Sequence, residues 1–194
     1  MNSRVPYALI TGGGTMVAVD AMRSMSNRAE GDFALAFAHH FSRRGIPVVL
    51  ILSRLAFLKH RASIPKNTEV IQFTTFAQYI EAIDRAVEAW GQPGYAMSTA
   101  AVSDYGYENA IEGKISSSRE TLELSIPRLP KVLNTWREKF GIKCLIVGFK
   151  LLSRANSTIG DVIAAARKQN KRARLNATIA NLAEEIRGGI HPVW

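Results

Sequence analysis

An apolar run, Tyr7-Ala-Leu-Ile-Thr11, stops at three consecutive glycines, Gly12-Gly13-Gly14, and strand-like runs return at residues 48–52, 69–73, 95–99, 143–147 and 175–180. Helical patterns fill most of the intervals. Residues 32–44 carry Phe33, Leu35, Ala36, Phe37 and Phe41 and end at Arg43-Arg44-Gly45. Residues 75–90 place Phe76, Tyr79, Ile80, Ile83 and Val87 on one face before Gly91-Gln-Pro-Gly94 breaks the pattern. Further helices are expected over 131–140 and 159–169. Strands joined by helices of this length run parallel, with right-handed crossovers that cover both faces of the sheet. The expected fold is α/β and Rossmann-like: a mostly parallel sheet with helices on both faces, in one domain spanning residues 1–194. One segment departs from the pattern. Residues 106–128 are polar and turn-rich with a short alternation at Leu122-Glu-Leu-Ser-Ile126, which reads as a flap or β-hairpin insertion.

In this architecture ligands bind beyond the carboxyl ends of the strands, so the loops to inspect are 12–27, 100–114 and 148–156. The formal charge of +9 and pI near 10.0 favour anionic ligands: nucleotides, phosphorylated metabolites or nucleic acid. The one cysteine, Cys144, stands in the apolar run Cys144-Leu-Ile-Val. It has no partner for an internal disulfide and reads as a buried residue rather than a nucleophile. His39 and His40 are adjacent on a helix and point apart, and no cysteine–histidine metal cluster is present. No apolar stretch reaches the length of a membrane span and no signal-peptide core precedes the first strand, so the expected location is cytoplasmic with no membrane partner.

Single motifs leave their readings open. A glycine-rich turn after a first strand can bring backbone N–H groups to a phosphate, but Gly12-Gly13-Gly14-Thr15 is neither a complete G-x-G-x-x-G nor a Walker loop, and it also suits a tight structural turn. Taken alone, Asn27 suits a helix cap, Asp104-Tyr105 a turn and Lys114 a solvated surface lysine. The run 167–174 holds five cations in eight residues. It suits a solvated helix end better than a nucleic-acid patch, and nucleic acid is not expected as a partner.

In combination and in order, the motifs are more specific. Gly13-Gly14-Thr15 is followed by Asp20, Arg23 and Asn27 at the spacing Asp-x-x-Arg-x-x-x-Asn, then by Gly31, Ala100-Ala-Val-Ser-Asp-Tyr105, Lys114-Ile115, Pro130-Lys-Val-Leu133, Gly148-Phe149 and Ala180-Asn181. The chain resembles the phosphopantothenoylcysteine synthetase family over almost its whole length. That resemblance implies a ligase of coenzyme A biosynthesis. CTP or ATP with Mg²⁺ would activate the carboxylate of 4′-phosphopantothenate as an acyl-nucleotidylate, and the amine of cysteine would then displace the nucleoside monophosphate. It implies a homodimer whose flap closes over the site, and no FMN. It assigns catalytic roles to Asn27, Lys114 and Arg23. It assigns nucleotide binding to Gly12, Gly13, Gly14, Thr15, Ala100, Ala101, Asp104, Lys114, Pro130, Val132, Leu133 and Phe149. Lys168 and Arg172, four residues apart on one helix face, stand for a pair of family lysines. Asp104 is also a candidate for the metal shell.

Several residues depart from the family pattern. Ala29-Glu30 replaces a serine pair before the helix glycine, Lys131 replaces the aspartate of Pro-Asp-Ile-Leu, Ser116-Ser117-Ser118 replaces a lysine-rich stretch, and Lys150 stands near an expected acid. Glu30 would oppose a phosphorylated ligand by roughly 1 kcal/mol or more. These departures keep a second reading open: a non-catalytic or differently specific homologue that binds a nucleotide or phosphorylated acid, acting as a partner subunit.

Overall fold

The computed structural model describes residues 6–106, 112–118, 120–185 and Val193. In chain order the elements are β1 (Ala8–Gly12), β2 (Met16–Ala18), β3 (Ser24–Ser26), α1 (Asp32–Ser42), β4 (Val48–Ser53), α2 (Arg54–His60), β5 (Thr68–Phe73), α3 (Phe76–Trp90), β6 (Tyr95–Ser98), α4 (Trp136–Phe140), β7 (Leu145–Leu152), α5 (Ile159–Ala173) and β8 (Ala177–Leu182). Six strands form one sheet in the order β5-β4-β1-β6-β7-β8, and every pairing in it is parallel. The chain winds outward from β1 to β5, returns to the centre at β6, and winds outward again. The order reverses between β1 and β6, and in sheets of this kind ligands bind beyond the strands' carboxyl ends near such a reversal.

The central strands are buried on both faces, which is why β1 and β4 read as unbroken apolar runs. Alternate side chains then choose between two layers. Ala8 and Ile10, with Leu50 and Leu52, pack against Ala34, Ala38 and Phe41 of α1 and Ala56 of α2. Leu9, Val49 and Ile51 pack against Tyr79, Ile83 and Ala86 of α3 and Trp136 and Phe140 of α4. A third cluster joins Val162 and Ala166 of α5 to Ala180 and Leu182 of β8. α3 and α5 each start with a capping box, Thr75 with Gln78 and Thr158 with Asp161, which satisfies two end donors reciprocally.

Several expectations need correction. β7 runs to Leu152, so Gly148 and Phe149 lie within the strand and not in the loop after it. The helix expected over 131–140 divides into a 3₁₀ turn, Val132–Thr135, followed by α4. Helix α5 continues to Ala173, beyond the expected end at 169. The alternation at Leu122 to Ile126 is not a strand: among the described residues it makes no strand pairing, and the bridge in this segment is an isolated antiparallel one between Tyr105 and Arg128. The rest of the expected flap, 107–111 and 119, lies outside the described residues. The two-stranded antiparallel ribbon β2–β3 and the short helix α2 were not legible. Their patterns span only 3 and 7 residues, too few for periodicity to register.

Arg137 anchors the start of β7 and β8 from inside the protein. It is 6% exposed. Its guanidinium donates to the carbonyls of Arg174 (2.8 Å), Gly141 (3.0 Å) and Cys144 (2.8 Å) and to Asn176 Oδ1 (2.8 Å). Asn176 Oδ1 also accepts from Ile146 N at 2.8 Å. Cys144 is buried beside it, and burial raises its thiol pKa to about 11, leaving an inert thiol. Replacing Arg137 by Met should leave several buried carbonyls unpaired and lower stability by about 2–5 kcal/mol, measured by urea unfolding. A loss below about 1 kcal/mol would show that water substitutes for the guanidinium.

Candidate functional site

Strand β1 does not stop when its apolar run ends. Gly14 pairs with Ala101 as a parallel bridge. Thr15 N donates to Ala101 O at 3.2 Å, and Ala101 N donates to Gly13 O at 2.9 Å. On the other side Met16 N donates to Thr74 O at 2.8 Å. Side chains reinforce the join: Asn27 Nδ2 donates to Ala101 O at 2.9 Å, and Ser103 N donates to Thr15 Oγ1 at 2.8 Å. The glycines are needed for this convergence. A Cβ on Gly12 would lie 2.3 Å from the Ala34 Cβ, and one on Gly14 would lie 2.4 Å from the Asn27 carbonyl oxygen. Residues 12–15 are buried. The loop therefore brings three stretches of protein together, which is the structural reading of its glycines.

Above this join a cleft of about 640 Å³, including the space open to solvent, is lined by residues from five places in the sequence. Ser98 and Ala100 follow from β6, Val102 to Asp104 from the loop after it, Pro130 to Leu133 from the 3₁₀ turn, Phe149 and Lys150 from β7, and Gln169 and Arg172 from α5; Tyr79 of α3 completes the floor. Of the residues named from sequence, Ala100, Asp104, Pro130, Val132, Leu133, Phe149 and Arg172 meet here. Phe149 is held by Phe33 and Phe37 of α1, with ring centroids 5.0 and 6.0 Å away. Arg172 Nε donates to Asn134 Oδ1 at 3.2 Å, which aims it across the cleft end of the turn. Lys168 is exposed and is not part of the lining. Sequence reasoning missed Tyr79 and Gln169, which carry no charge or motif signal.

The lining holds three cations, Lys131, Lys150 and Arg172, and one carboxylate, Asp104. Asp104 is ion-paired with Lys131. In this arrangement Lys131 occupies Oδ1 of Asp104. Among the described residues no group of three or more His, Cys, Asp or Glu side chains converges as a metal site.

Arg23 and Lys114 stand apart from this lining, on the β2–β3 ribbon and the flap. Arg23 Nη2 donates to Ile115 O at 3.0 Å, and Ala21 N donates to Gly113 O at 3.0 Å. Between these contacts lies Asp20, its side chain fully buried. Asp20 accepts from Ile115 N at 3.0 Å, Met22 N at 2.8 Å and Arg23 N at 2.7 Å. These backbone donors, Ile115's foremost, hold its carboxyl below the usual carboxylate range although burial acts the other way. A carboxylate with a depressed pKa contributes stability that is present above its unfolded pKa and is lost as pH falls through the folded one.

Glu30, expected to oppose a phosphorylated ligand, is ion-paired. Lys59 of α2 pairs with Glu30 and, at 2.9 Å, with Asp32 of α1. The Glu30 carboxylate and then Asp32 raise the Lys59 pKa, so this cation persists across neutral pH. Lys59 reaches Glu30 through a fold contact between α1 and α2, and no spacing in the sequence signals it.

The DNA/pantothenate metabolism flavoprotein C-terminal domain family matches residues 5–191. The bifunctional coenzyme A biosynthesis protein CoaBC of Methanocaldococcus jannaschii is 32% identical over 173 residues, covering 89% of this chain and 40% of that protein. Its counterpart in Thermococcus kodakarensis is 30% identical over 175 residues, with the same coverage of 89% and 40%. The chain thus spans about two fifths of the length of these relatives. Among solved structures, a DNA/pantothenate metabolism flavoprotein from Streptococcus pneumoniae superposes with a TM-score of 0.80 at 23% identity, covering 97% of this chain and 87% of the other. The C-terminal domain of a CoaBC protein superposes with a TM-score of 0.70 at 22% identity, covering 92% and 80%.

The Asn27 contact gives a direct test of the convergence. Asn27→Asp sets a carboxylate against the Ala101 carbonyl and should lower stability by about 1 kcal/mol at neutral pH. The loss should shrink near pH 4, where an aspartic acid protonates and can donate again. Equal losses at both pH values in thermal melts would show that Asn27 does not hold Ala101.

Proposed function

The chain belongs to the DNA/pantothenate metabolism flavoprotein C-terminal domain family, and from that premise we propose that it is a phosphopantothenate–cysteine ligase of coenzyme A biosynthesis. The observation that carries the reading is the cationic cleft beyond β6 and β7, where seven of the residues that the family pattern assigns to the nucleotide meet: Ala100, Asp104, Pro130, Val132, Leu133, Phe149 and Arg172. A related fold, the H337A mutant of Cab2, is described in complex with phosphopantothenate-cysteine; its TM-score is 0.74 at 20% identity. That likeness supports the fold, and the substrate enters here as part of the proposal.

In the proposed reaction an oxygen of the 4′-phosphopantothenate carboxylate attacks the α-phosphorus of CTP or ATP. The bond from that phosphorus to the bridging oxygen breaks, and pyrophosphate leaves. The cysteine amine then attacks the acyl carbon, loses a proton and displaces the nucleoside monophosphate. Neither step requires a protein nucleophile; catalysis rests on positioning and on charge set against developing negative charge. Arg172 and Lys150 line the cleft as fixed cations. Lys114 adds a further cation from the flap. Asn27 uses one amide hydrogen on Ala101, and its other hydrogen and Oδ1 can orient the acyl group. Mg²⁺, when carried in on the triphosphate, would offset phosphate charge; Asp104 is held by Lys131, so no step is assigned to a protein-held metal.

The reading includes a homodimer, with residues 1–194 as one domain and the flap near Lys114 reaching the neighbouring site, in a cytoplasmic setting. Among the described residues no helix is long and apolar enough to cross a membrane.

Pyrophosphate release should require 4′-phosphopantothenate and a nucleoside triphosphate, and turnover should require cysteine as well. Lys114→Gln should reduce pyrophosphate release at least tenfold. Because Lys59 already pairs with Glu30, changing Ala29 and Glu30 together to Ser should alter the rate less than threefold. If the wild-type protein neither releases pyrophosphate nor gains thermal stability with CTP or ATP, the ligase reading fails and the homologue that binds another ligand or partner takes its place.

A further inference from the structure

We propose that Asp20 is a positioning residue that fixes Lys114 by tethering the flap backbone to the β2–β3 ribbon; the catalytic part of this proposal rests on the ligase reading. Three contacts bracket Lys114. Ala21 N donates to the carbonyl of Gly113 on one side, while Ile115 N donates to Asp20 Oδ2 and Ile115 O accepts from Arg23 Nη2 on the other. No other contact among those between the ribbon and residues 113–115 comes from a buried charge: the Asp20 side chain is fully shielded from solvent, whereas Arg23 is 40% exposed.

The two carboxylate oxygens divide the work. Oδ1 accepts from Met22 N at 2.8 Å and Arg23 N at 2.7 Å, closing the turn between β2 and β3. Oδ2 accepts from Ile115 N at 3.0 Å, with Arg23 Nη1 at 3.8 Å. One side chain thus shapes a turn and reaches across to residues more than ninety positions away in sequence. A charged acceptor makes a stronger bond than a neutral one, and its burial excludes the water that would compete for the Ile115 amide. Lys114 itself is exposed. Without the bracket its long side chain would have a poorly fixed base, and the gain from placing a cation in advance would be lost.

The division of labour suggests a selective variant. In Asp20→Asn the amide oxygen can keep both turn contacts, because two donors face it, while the –NH₂ group turns toward Ile115 N. A donor then faces a donor, and only the tether breaks. Hydrogen exchange should show faster exchange in residues 112–118, by at least tenfold, with the amides of Met22 and Arg23 nearly unchanged. This readout needs no activity, so it tests the tether even if the ligase reading fails. In the turnover assay with CTP and with ATP, Asp20→Asn should raise the KM for the accepted nucleotide about tenfold and change kcat less. In a Lys114→Ala background the same change should add less than twofold, because the two residues act through one contact. Should Asp20→Asn not fold, Ile115→Pro removes the same N–H from the flap side and leaves the buried acid in place; the same exchange and KM effects are expected. Unchanged exchange at 112–118 overturns the tether. Faster exchange with an unchanged nucleotide KM, or full additivity with Lys114→Ala, overturns the positioning role and leaves Asp20 as a turn residue only.

Discussion

The carbonyl oxygen of Ala101 accepts from Thr15 N and from Asn27 Nδ2, and the site is built around that double acceptance. It extends the pairing of β1 with β6 beyond the regular sheet. It also fixes the start of the loop that carries Val102, Ser103 and Asp104 into the cleft. The glycines at 12 and 14 are consequences of this geometry. Backbone can approach Ala34 and Asn27 so closely only where no Cβ intervenes.

Charge at the site is arranged with local compensation. The cleft carries Lys131, Lys150 and Arg172 against Asp104, which suits a polyanion. The acid that departs from the family pattern, Glu30, is not left unpaired, because Lys59 contacts it together with Asp32. The exchange of an aspartate for Lys131 is likewise absorbed by its pairing with Asp104. Substitutions that look disabling one at a time become compatible with the site once their partners are seen.

The sheet was legible because parallel, doubly covered strands leave long apolar runs and the helices between them leave amphipathic ones. Much of the cleft lining was legible too, through motifs at strand ends and through Arg172. Three features were not. Lys59 reaches Glu30 by the packing of α2 against α1, a contact 29 residues apart in sequence that no local pattern encodes. The tight packing behind Gly12 and Gly14 was hidden because glycine-rich turns serve both close packing and ligand approach, and no local pattern names the atoms that lie beside them. Leu122 to Ile126 alternates as a strand would, but alternation makes a strand only where an edge is available to pair.

The proposed ligase reaction puts a nucleoside triphosphate in the cleft between Ala100, the Val132–Thr135 turn and Phe149. A crystal structure with an α,β-methylene analogue of CTP or ATP tests it most directly. Phosphates are expected within hydrogen-bonding distance of Arg172 or Lys150, and the base or ribose against Val132 and Phe149. An analogue bound elsewhere, or no binding at millimolar concentration, would contradict it.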